Sequence, residues 1–485
     1  MHPTSLPGPY GIGDLGDNLY KFIDFMAASG SRLWQIMPLG PTGYGDSPYA
    51  CFSAIAGNPL MISPDRLITD GLLSAGDLRG RPKFPADRVD FGPVINYKYS
   101  IYEKAFANFK KLQGHAIRRE YDEFCEENLS WLDDFALFMA LKGKNGGAMW
   151  SLWAAPLVKR ESGAIDAARR ELSDRIEYHK FLQFAFFRQW KAAKAEANRR
   201  GIKIVGDVPI FVAYDSADVW VHPELFHLDP AGKPTVVAGV PPDYFSKTGQ
   251  LWGNPLYRWD SIKKDGFGWW ITRFKETLKS VDIIRIDHFR GFEAYWEVPA
   301  SEKTAVRGKW VKAPGTELFE AVREGLGNLP IIAEDLGVIT PEVEKLRDDF
   351  GFAGMKILQF AFGSDPANQY LPHNYVPNSV VYSGTHDNET TIGWFENISE
   401  KEKEAVLNYT DTTGKNINWD FIRLAAASVS DIAVVPVQDI SGAGVEGRMN
   451  TPGKASGNWS YRFKMADLKP ILAEKLAQIC HTFGR

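Results

Sequence analysis

The sequence has few cysteines, no long apolar run and no excess of charge of either sign. Its three cysteines, Cys51, Cys125 and Cys480, lie far apart without metal-type spacing, which favours a reducing, cytoplasmic setting over a disulfide framework. No apolar stretch approaches the roughly 20 residues of a membrane-spanning helix, and the first residues lack a signal-peptide pattern. The 56 basic and 60 acidic residues leave no electrostatic footprint for nucleic acid or an anionic membrane, so a neutral partner is expected.

Several catalytic motifs are also missing. The chain contains no Gly-x-Ser-x-Gly nucleophile elbow, no GxxxxGK[ST] phosphate loop and no HExxH zinc motif. The run Gly11-Ile-Gly13 resembles the start of a dinucleotide-binding GxGxxG fingerprint but lacks its third glycine. A metal site assembled from separate strands stays open as an alternative, because His288 and His386 each neighbour an acid.

Aromatic side chains are abundant, with 15 Trp, 18 Tyr and 30 Phe. Trp and Tyr offer flat apolar faces with a polar edge, and such surfaces suit sugar rings, which are apolar on their C–H faces and hydroxylated at their rims. The alternative is that most of these rings pack in the core. The composition therefore allows a carbohydrate ligand without requiring one.

Apolar runs that end in an acid recur along the chain and predict strands of a parallel sheet. Alternating strands and helices favour a (β/α)8 TIM-type barrel, in which catalytic side chains lie at the C-terminal ends of the strands. A doubly wound open sheet is the alternative. The eight predicted strands lie near Thr4, near Leu33, and at residues 203–207, 282–287, 329–334, 354–360, 380–383 and 432–439.

We expect one catalytic barrel domain over residues 1–485 with two insertions. Apolar residues recur with a helical period over 97–112, 119–141 and 176–197, which predicts a mainly helical insertion at 60–180 between the second and third strands. A long loop at 209–280 follows the third strand, and its aromatic part at 239–255 is typical of a lid. The final stretch, 468–483, reads as an amphipathic helix, so no separate C-terminal β-domain is expected.

Three of the acidic strand ends are candidates for one active site. Arg285 and Asp287 share one face of their strand, and the arginine favours an ionised, nucleophilic Asp287; a purely structural Arg–Asp pair is the alternative. Glu334 ends an apolar strand beside Asp335, and both features raise a carboxyl pKa. A protonated Glu opposite an ionised Asp is the pairing that glycoside cleavage requires.

A third acid follows the 380–383 strand. Asp387 lies between His386 and Asn388. A carboxylate placed there is suited to hold substrate hydroxyls and to stabilise the positive charge that develops on a sugar ring.

Taken in order, these clusters resemble the signature regions of the amylomaltase family, the 4-alpha-glucanotransferases of the α-amylase clan. The similarity runs along almost the whole chain, and so many motifs in one order make chance similarity very improbable. The matching segments lie at residues 2–14, 34–35, 38–49, 56–59, 206–210, 215–220, 239–255, 285–291, 333–337, 384–388 and 447–453.

The resemblance implies a role for each matching residue. Asp287 matches the nucleophile, Glu334 the general acid/base and Asp387 the transition-state stabiliser. Asp335 and Asn388, which adjoin two of these acids, are added to the predicted substrate contacts. The remaining predicted contacts are Asp207, Arg285, His288 and His386 around the donor sugar, Tyr49, Gln250 and Trp252 in flanking loops, and Tyr244 and Phe245 in the lid over the acceptor.

The expected activity is transfer of a 1,4-alpha-glucan segment from a donor to the 4-hydroxyl of glucose or a maltooligosaccharide, by retaining double displacement without metal or organic cofactor. A hydrolase of the same clan, a metal-dependent hydrolase and a glucan-binding barrel without catalysis are the alternatives. The expected protein is cytoplasmic and is a monomer or a weak homo-oligomer. One departure from the family pattern is that Met1 directly precedes the first motif, where relatives place several apolar residues.

Overall fold

The computed structural model describes residues 1–112, 114–242, 246–454 and 456–485. The described residues form eleven strands, numbered here in chain order, and two sheets. The strands are β1 (Leu33–Gln35), β2 (Lys203–Pro209), β3 (Val236–Val240), β4 (Gln250–Pro255), β5 (Ile283–Asp287), β6 (Ala294–Pro299), β7 (Lys309–Lys312), β8 (Ile331–Ala333), β9 (Ala353–Ile357), β10 (Ser379–Tyr382) and β11 (Ile432–Val434).

Seven parallel strands form a nearly closed barrel in the order β1-β2-β5-β8-β9-β10-β11. Most of their residues are buried, as expected when helices cover the outside of a sheet and side chains fill its inside. The register aligns Asp207 with Arg285, and Ile286 with Ala333, so neighbouring strands end at one rim. The predicted TIM-type barrel class is confirmed.

The predicted strand near Thr4 is wrong, so the described sheet has seven strands instead of eight. Residues Pro3–Ser5 form a 3-10 helix. Proline cannot donate to a sheet ladder and fixes φ, so this segment turns away after one residue. Met1 reaches the gap: its amino group donates to the Gln35 carbonyl at 3.2 Å, and the Trp34 indole donates to the Met1 carbonyl at 2.7 Å.

A cavity of about 540 Å³ lies where β1 and β11 do not meet. Its walls include Leu33 from β1, Ile432 and Val434 from β11, and Leu476 and Ile479 from the last helix. The facing strand edges leave backbone groups without sheet partners, which weakens closure of the barrel.

Eighteen α-helices complete the described structure, many of them on the outside of the barrel or in the segment between β1 and β2. They are α1 (Asp17–Ala28), α2 (Pro64–Thr69), α3 (Phe91–Phe109), α4 (Ala116–Glu127), α5 (Leu132–Lys144), α6 (Ala155–Val158), α7 (Ser162–Glu171), α8 (Ser173–Arg199), α9 (Ala217–Val221), α10 (Trp259–Lys264), α11 (Gly268–Ser280), α12 (Gly315–Leu326), α13 (Pro341–Asp349), α14 (Thr391–Asn397), α15 (Glu400–Thr410), α16 (Ile417–Ala427), α17 (Val437–Ser441) and α18 (Pro470–Phe483).

The long helix α8 joins the helices between β1 and β2 to the barrel, since it packs against α5 on one side and β2 on another. The helical period at 119–141 corresponds to two helices instead of one. The break lies at Asn128, whose side chain donates to the Phe124 carbonyl and accepts from the Trp131 indole. An asparagine that bonds local backbone in this way favours a helix end.

The 209–280 interval contains more regular structure than its sequence indicates. Strands β3 and β4 pair with β6 and β7 in a four-stranded antiparallel sheet of order β4-β3-β6-β7. Three residues of β4, Leu251, Trp252 and Gly253, are exposed, so this strand lacks the apolar alternation that marks a half-buried strand. Among the described residues, no helix combines the length and apolar composition needed to cross a bilayer.

We expect an apolar segment of about five residues, the usual length of a short strand, to raise the melting temperature when it is fused before Met1. It would bury apolar surface in the gap and pair with the free edge of β1. Differential scanning calorimetry measures the change, and the same fusion with aspartates at alternate positions is the control. Equal melting temperatures for the two fusions and the parent chain would refute the prediction.

Candidate active site

The C-terminal ends of four barrel strands bring the predicted site residues to one rim. Asp207 lies within β2, Arg285 and Asp287 within β5, Glu334 follows β8, and the segment with Asp387 follows β10. Because all of these strands are parallel, their last side chains project into the same mouth.

Arg285 links two of the acids. Its Nη1 donates to both oxygens of Asp207 at 2.7 Å and to Oδ1 of Asp287 at 2.9 Å. Arg285 and Asp207 are buried, whereas Asp287 is partly open to the mouth. Burial raises the pKa of Asp207 despite the neighbouring guanidinium. The Arg285–Asp207 pair therefore holds Asp287 in place, and the nucleophilic role of Asp287 stays a prediction.

Glu334 lies beside Asp287 at the end of the neighbouring strand. Its backbone N–H donates to the Ile286 carbonyl at 3.0 Å, which continues the pairing of β8 with β5. Burial first, and the negative charge of Asp287 second, raise the pKa of Glu334 well above its ordinary value of 4.5. A raised pKa extends the pH range over which a carboxyl group keeps its proton and can act as an acid.

The backbone of His288 donates to Glu334, and its ring packs between Trp252 and Phe211. His288 has a left-handed conformation with φ of 54°, which is uncommon for a residue other than glycine and directs its N–H to Oε2 of Glu334 at 2.6 Å. Burial lowers the pKa of the ring to about 4, so it is neutral. Within the part of the chain that is described, its buried Nε2 has no hydrogen-bond partner.

Asp387 projects into the mouth with its side chain about half exposed. Asn450 donates through Nδ2 to Oδ1 of Asp387 at 2.6 Å, and Arg448 donates to the Asp387 carbonyl at 3.1 Å. Sequence reasoning assigned no role to Asn450 or Arg448. Their segment, 447–453, was among the matching motifs, and that match was the available signal.

Tyr49 forms one wall of the site. Its hydroxyl donates to Oδ2 of Asp207 at 2.8 Å, and its ring stacks on His386 with centroids 5.1 Å apart. Trp459, which the sequence analysis did not single out, packs against both rings, with centroid distances of 5.6 and 5.8 Å.

Asn388 accepts hydrogen bonds from the backbone N–H and the hydroxyl of Thr385 through Oδ1, both at 2.9 Å. It lines a cavity of about 100 Å³ together with Asp207, Arg285, Tyr382 and His386.

The antiparallel sheet contributes the opposite wall. Trp252 on β4 meets the His288 ring edge-to-face at 4.8 Å, and its indole donates to Oε1 of Gln250 at 3.2 Å. Trp252 keeps 38% of its surface exposed, so a ring face remains available beside the site. The predicted lid residues Tyr244 and Phe245 lie outside the described residues.

Asp335 is directed away from the mouth. Its carboxylate accepts from Arg347 at 2.5 Å and from the Met355 backbone at 2.7 Å, and the side chain is buried. With both oxygens engaged in this way, Asp335 anchors β9 and is not placed to contact a substrate.

In the described ranges, acids, histidines and cysteines form no group of three or more that could hold a metal ion.

These features define a class of protein: a barrel with a Glu and an Asp side by side at its C-terminal rim, as in enzymes that cleave glycosidic bonds. A family model described as 4-alpha-glucanotransferase matches residues 1–467. The curated 4-alpha-glucanotransferases of Synechocystis sp. and Thermus thermophilus are 53% and 52% identical to this chain over all of its length, and the alignments cover 97% and 98% of those proteins. The solved amylomaltase of Streptococcus agalactiae in complex with acarbose has a TM-score of 0.97 and 41% identity, covering 100% of this chain and 98% of that one. The chain belongs to the 4-alpha-glucanotransferase family.

We expect kcat/KM to fall as pH rises through the raised pKa of Glu334, because a deprotonated Glu334 cannot protonate a leaving oxygen. In Asp287→Asn, loss of the neighbouring charge should lower the pKa of Glu334. The rate profile tests the first statement, and a ¹³C NMR titration of labelled glutamate, assigned with Glu334→Gln, tests the second. An unchanged pKa in Asp287→Asn would contradict the assigned cause.

Proposed function

We propose that Asp287, Glu334 and Asp387 catalyse the 4-alpha-glucanotransferase reaction of this chain as nucleophile, general acid/base and transition-state stabiliser. The observation that carries this proposal is the position of Glu334, partly buried at the end of the strand next to Asp287, where burial and the charge of Asp287 raise its pKa. A retaining mechanism places two such carboxyl groups about 5 to 5.5 Å apart.

The reaction takes two displacements. Glu334 donates its proton to the glycosidic oxygen while an oxygen of Asp287 bonds to the anomeric carbon, so the first glucan fragment leaves with a new hydroxyl group. The 4-hydroxyl of an acceptor sugar then attacks that carbon, Glu334 takes its proton, and the bond to Asp287 breaks. Asp387 lowers the energy of the positive charge that develops on the sugar in both steps.

We propose maltooligosaccharides and 1,4-alpha-glucans as donors, and glucose or a maltooligosaccharide as acceptor. Asp207, Arg285, His288, His386 and Asn388 would hold the donor sugar. Four of these residues, Asp207, Arg285, His386 and Asn388, line one cavity of about 100 Å³, which supports the assignment. The solved relative from Streptococcus agalactiae carries acarbose.

Transfer requires that an acceptor hydroxyl reaches the glycosyl-enzyme before water does. Tyr49, Gln250 and Trp252 would stack on or bond sugar rings beside the donor, and Tyr244 and Phe245 would close over the acceptor. Aromatic surfaces favour transfer by excluding water and by orienting the acceptor. No metal or organic cofactor takes part in this proposal. A cytoplasmic location and a monomeric or weakly associated state stay predictions from the sequence.

We expect maltotriose to yield a ladder of longer and shorter oligosaccharides together with free glucose, because transfer conserves the number of glycosidic bonds. Chromatographic separation of the products measures this. Glucose and maltose without longer products would instead identify a hydrolase, and an unchanged substrate would indicate binding without catalysis.

Asp287→Asn and Glu334→Gln should each remove nearly all turnover of maltotriose, because each deletes a group that acts in both displacements. Asp265→Asn, which changes an exposed acid on the α10–α11 turn, is the control and should stay active. Glu334→Gln should still release fluoride from maltotriosyl fluoride, since that leaving group needs no protonation. Near-normal turnover of maltotriose by either catalytic variant would disprove the assigned roles.

A further inference from the structure

Asp439 is a buried carboxylate without a nearby cation. It lies on α17 with 2% of its surface exposed. In the ranges that the structure covers, no lysine, arginine or histidine forms an ion pair with it, and burial raises its pKa. Three hydrogen bonds compensate the carboxylate: from the Ser383 hydroxyl at 2.6 Å, the Thr391 hydroxyl at 2.8 Å and the Thr391 backbone at 3.0 Å.

These donors stand at the two ends of one segment. Ser383 directly follows β10, and Thr391 is the first residue of α14. Between them lies the segment 384–390, called here the Asp387 loop, which also carries His386 and Asn388. One carboxylate thus joins the entry and the exit of the loop and fixes the distance between them.

The middle of the Asp387 loop is held by residues from the same stretch of chain that carries Asp439. Asn450 donates its backbone N–H to the His386 carbonyl at 3.1 Å, and Arg448 bonds Glu389 at 3.2 Å. Gln438, next to Asp439, donates to the Gly447 carbonyl at 3.0 Å. The Asn418 side chain fixes Asp439 itself by donating to its carbonyl at 2.7 Å. The segment 437–450 therefore sets the ends and the middle of the loop together.

A buried carboxylate at this position is costly, since an apolar side chain would avoid its desolvation. A carboxylate can accept from several donors at once, whereas apolar groups cannot. The desolvation cost of Asp439 is offset if its hydrogen bonds are needed to hold the Asp387 loop in one conformation. Every member of the group is nearly inaccessible, with Ser383 and Thr391 fully buried, so water cannot replace a lost bond without cost.

We propose that Asp439 is a positioning residue for the reaction, and that it acts by clamping Ser383 and Thr391 so that Asp387 is held against the sugar. This inference rests on the proposed role of Asp387. The clamp itself, Ser383–Asp439–Thr391, touches no substrate. Misplacement of a catalytic group by about 1 Å can cost about a hundredfold in rate, so loosening the loop ends affects catalysis from a distance.

Thr391→Val removes one hydroxyl of the clamp at nearly constant volume, and Thr391→Ser keeps that hydroxyl. We expect kcat on maltotriose to fall about ten- to a hundredfold in Thr391→Val and in Asp439→Asn, with a smaller change in KM, because Asp387 acts mainly in the transition state. Thr391→Ser should restore most of kcat. Hydrogen exchange of the 384–390 amides should be faster in the two weakened variants and close to the parent rate in Thr391→Ser.

Gln189→Ala is the matched control. Gln189 on α8 bonds the backbone N–H and carbonyl of Ser63 at 2.7 and 3.3 Å, so it is a buried polar anchor of a segment without site residues. It should lower the melting temperature but leave kcat and exchange of the Asp387 loop unchanged.

Unchanged kcat in Thr391→Val and Asp439→Asn would overturn the inference, as would a loss of kcat that Thr391→Ser shares. If Gln189→Ala lost as much kcat as the clamp variants, general destabilisation would explain the effect, and the inference would also be overturned. The proposed function fails separately if Asp387→Asn keeps full turnover, whereas the exchange rates still report whether the clamp holds the loop.

Discussion

One buried guanidinium determines how charge is arranged at the barrel rim. Nη1 of Arg285 bonds both Asp207 and Asp287, and without it two carboxylates on adjacent strands would repel each other in a region of poor solvation. The arginine keeps Asp287 in place beside Glu334, and the charge of Asp287 helps to raise the pKa of Glu334. Arg285 thus positions the carboxylate that raises the pKa of Glu334, while its own positive charge acts on that pKa in the opposite direction.

Much of the barrel could be predicted because its strands have a simple local signature. β2, β5, β8 and β10 are short apolar runs, and the polar residues at or just beyond their ends mark the functional rim. The predicted strand near Thr4 failed because two prolines flank the segment and the chain turns after Met1. The antiparallel sheet was missed because β7 is only four residues long with a lysine at each end, and β4 is largely exposed. Pairing with distant strands orders both, and the local sequence does not indicate such pairing.

The site was predictable where a residue ends a barrel strand and less so elsewhere. Asp287, Glu334 and Asp387 were predicted from strand position, and Asp207 was predicted from the family resemblance. Asn450 and Trp459 reach the site from more than 60 residues beyond Asp387, and their contacts depend on how the 445–459 segment folds back. Asp335 shows the opposite case: it adjoins Glu334 in sequence, but alternation along the chain turns its side chain to the outer face of the sheet, where Arg347 meets it.

The left-handed backbone at His288 limits how the donor pocket can be redesigned. Position 288 supplies a backbone donor to Glu334 and a ring that packs against Trp252. A β-branched residue there would resist the positive φ. Random substitution at this position would therefore change the direction of the backbone N–H together with the side chain. Glycine and asparagine tolerate that conformation best, so they are the replacements that remove the imidazole ring while keeping the backbone hydrogen bond to Glu334.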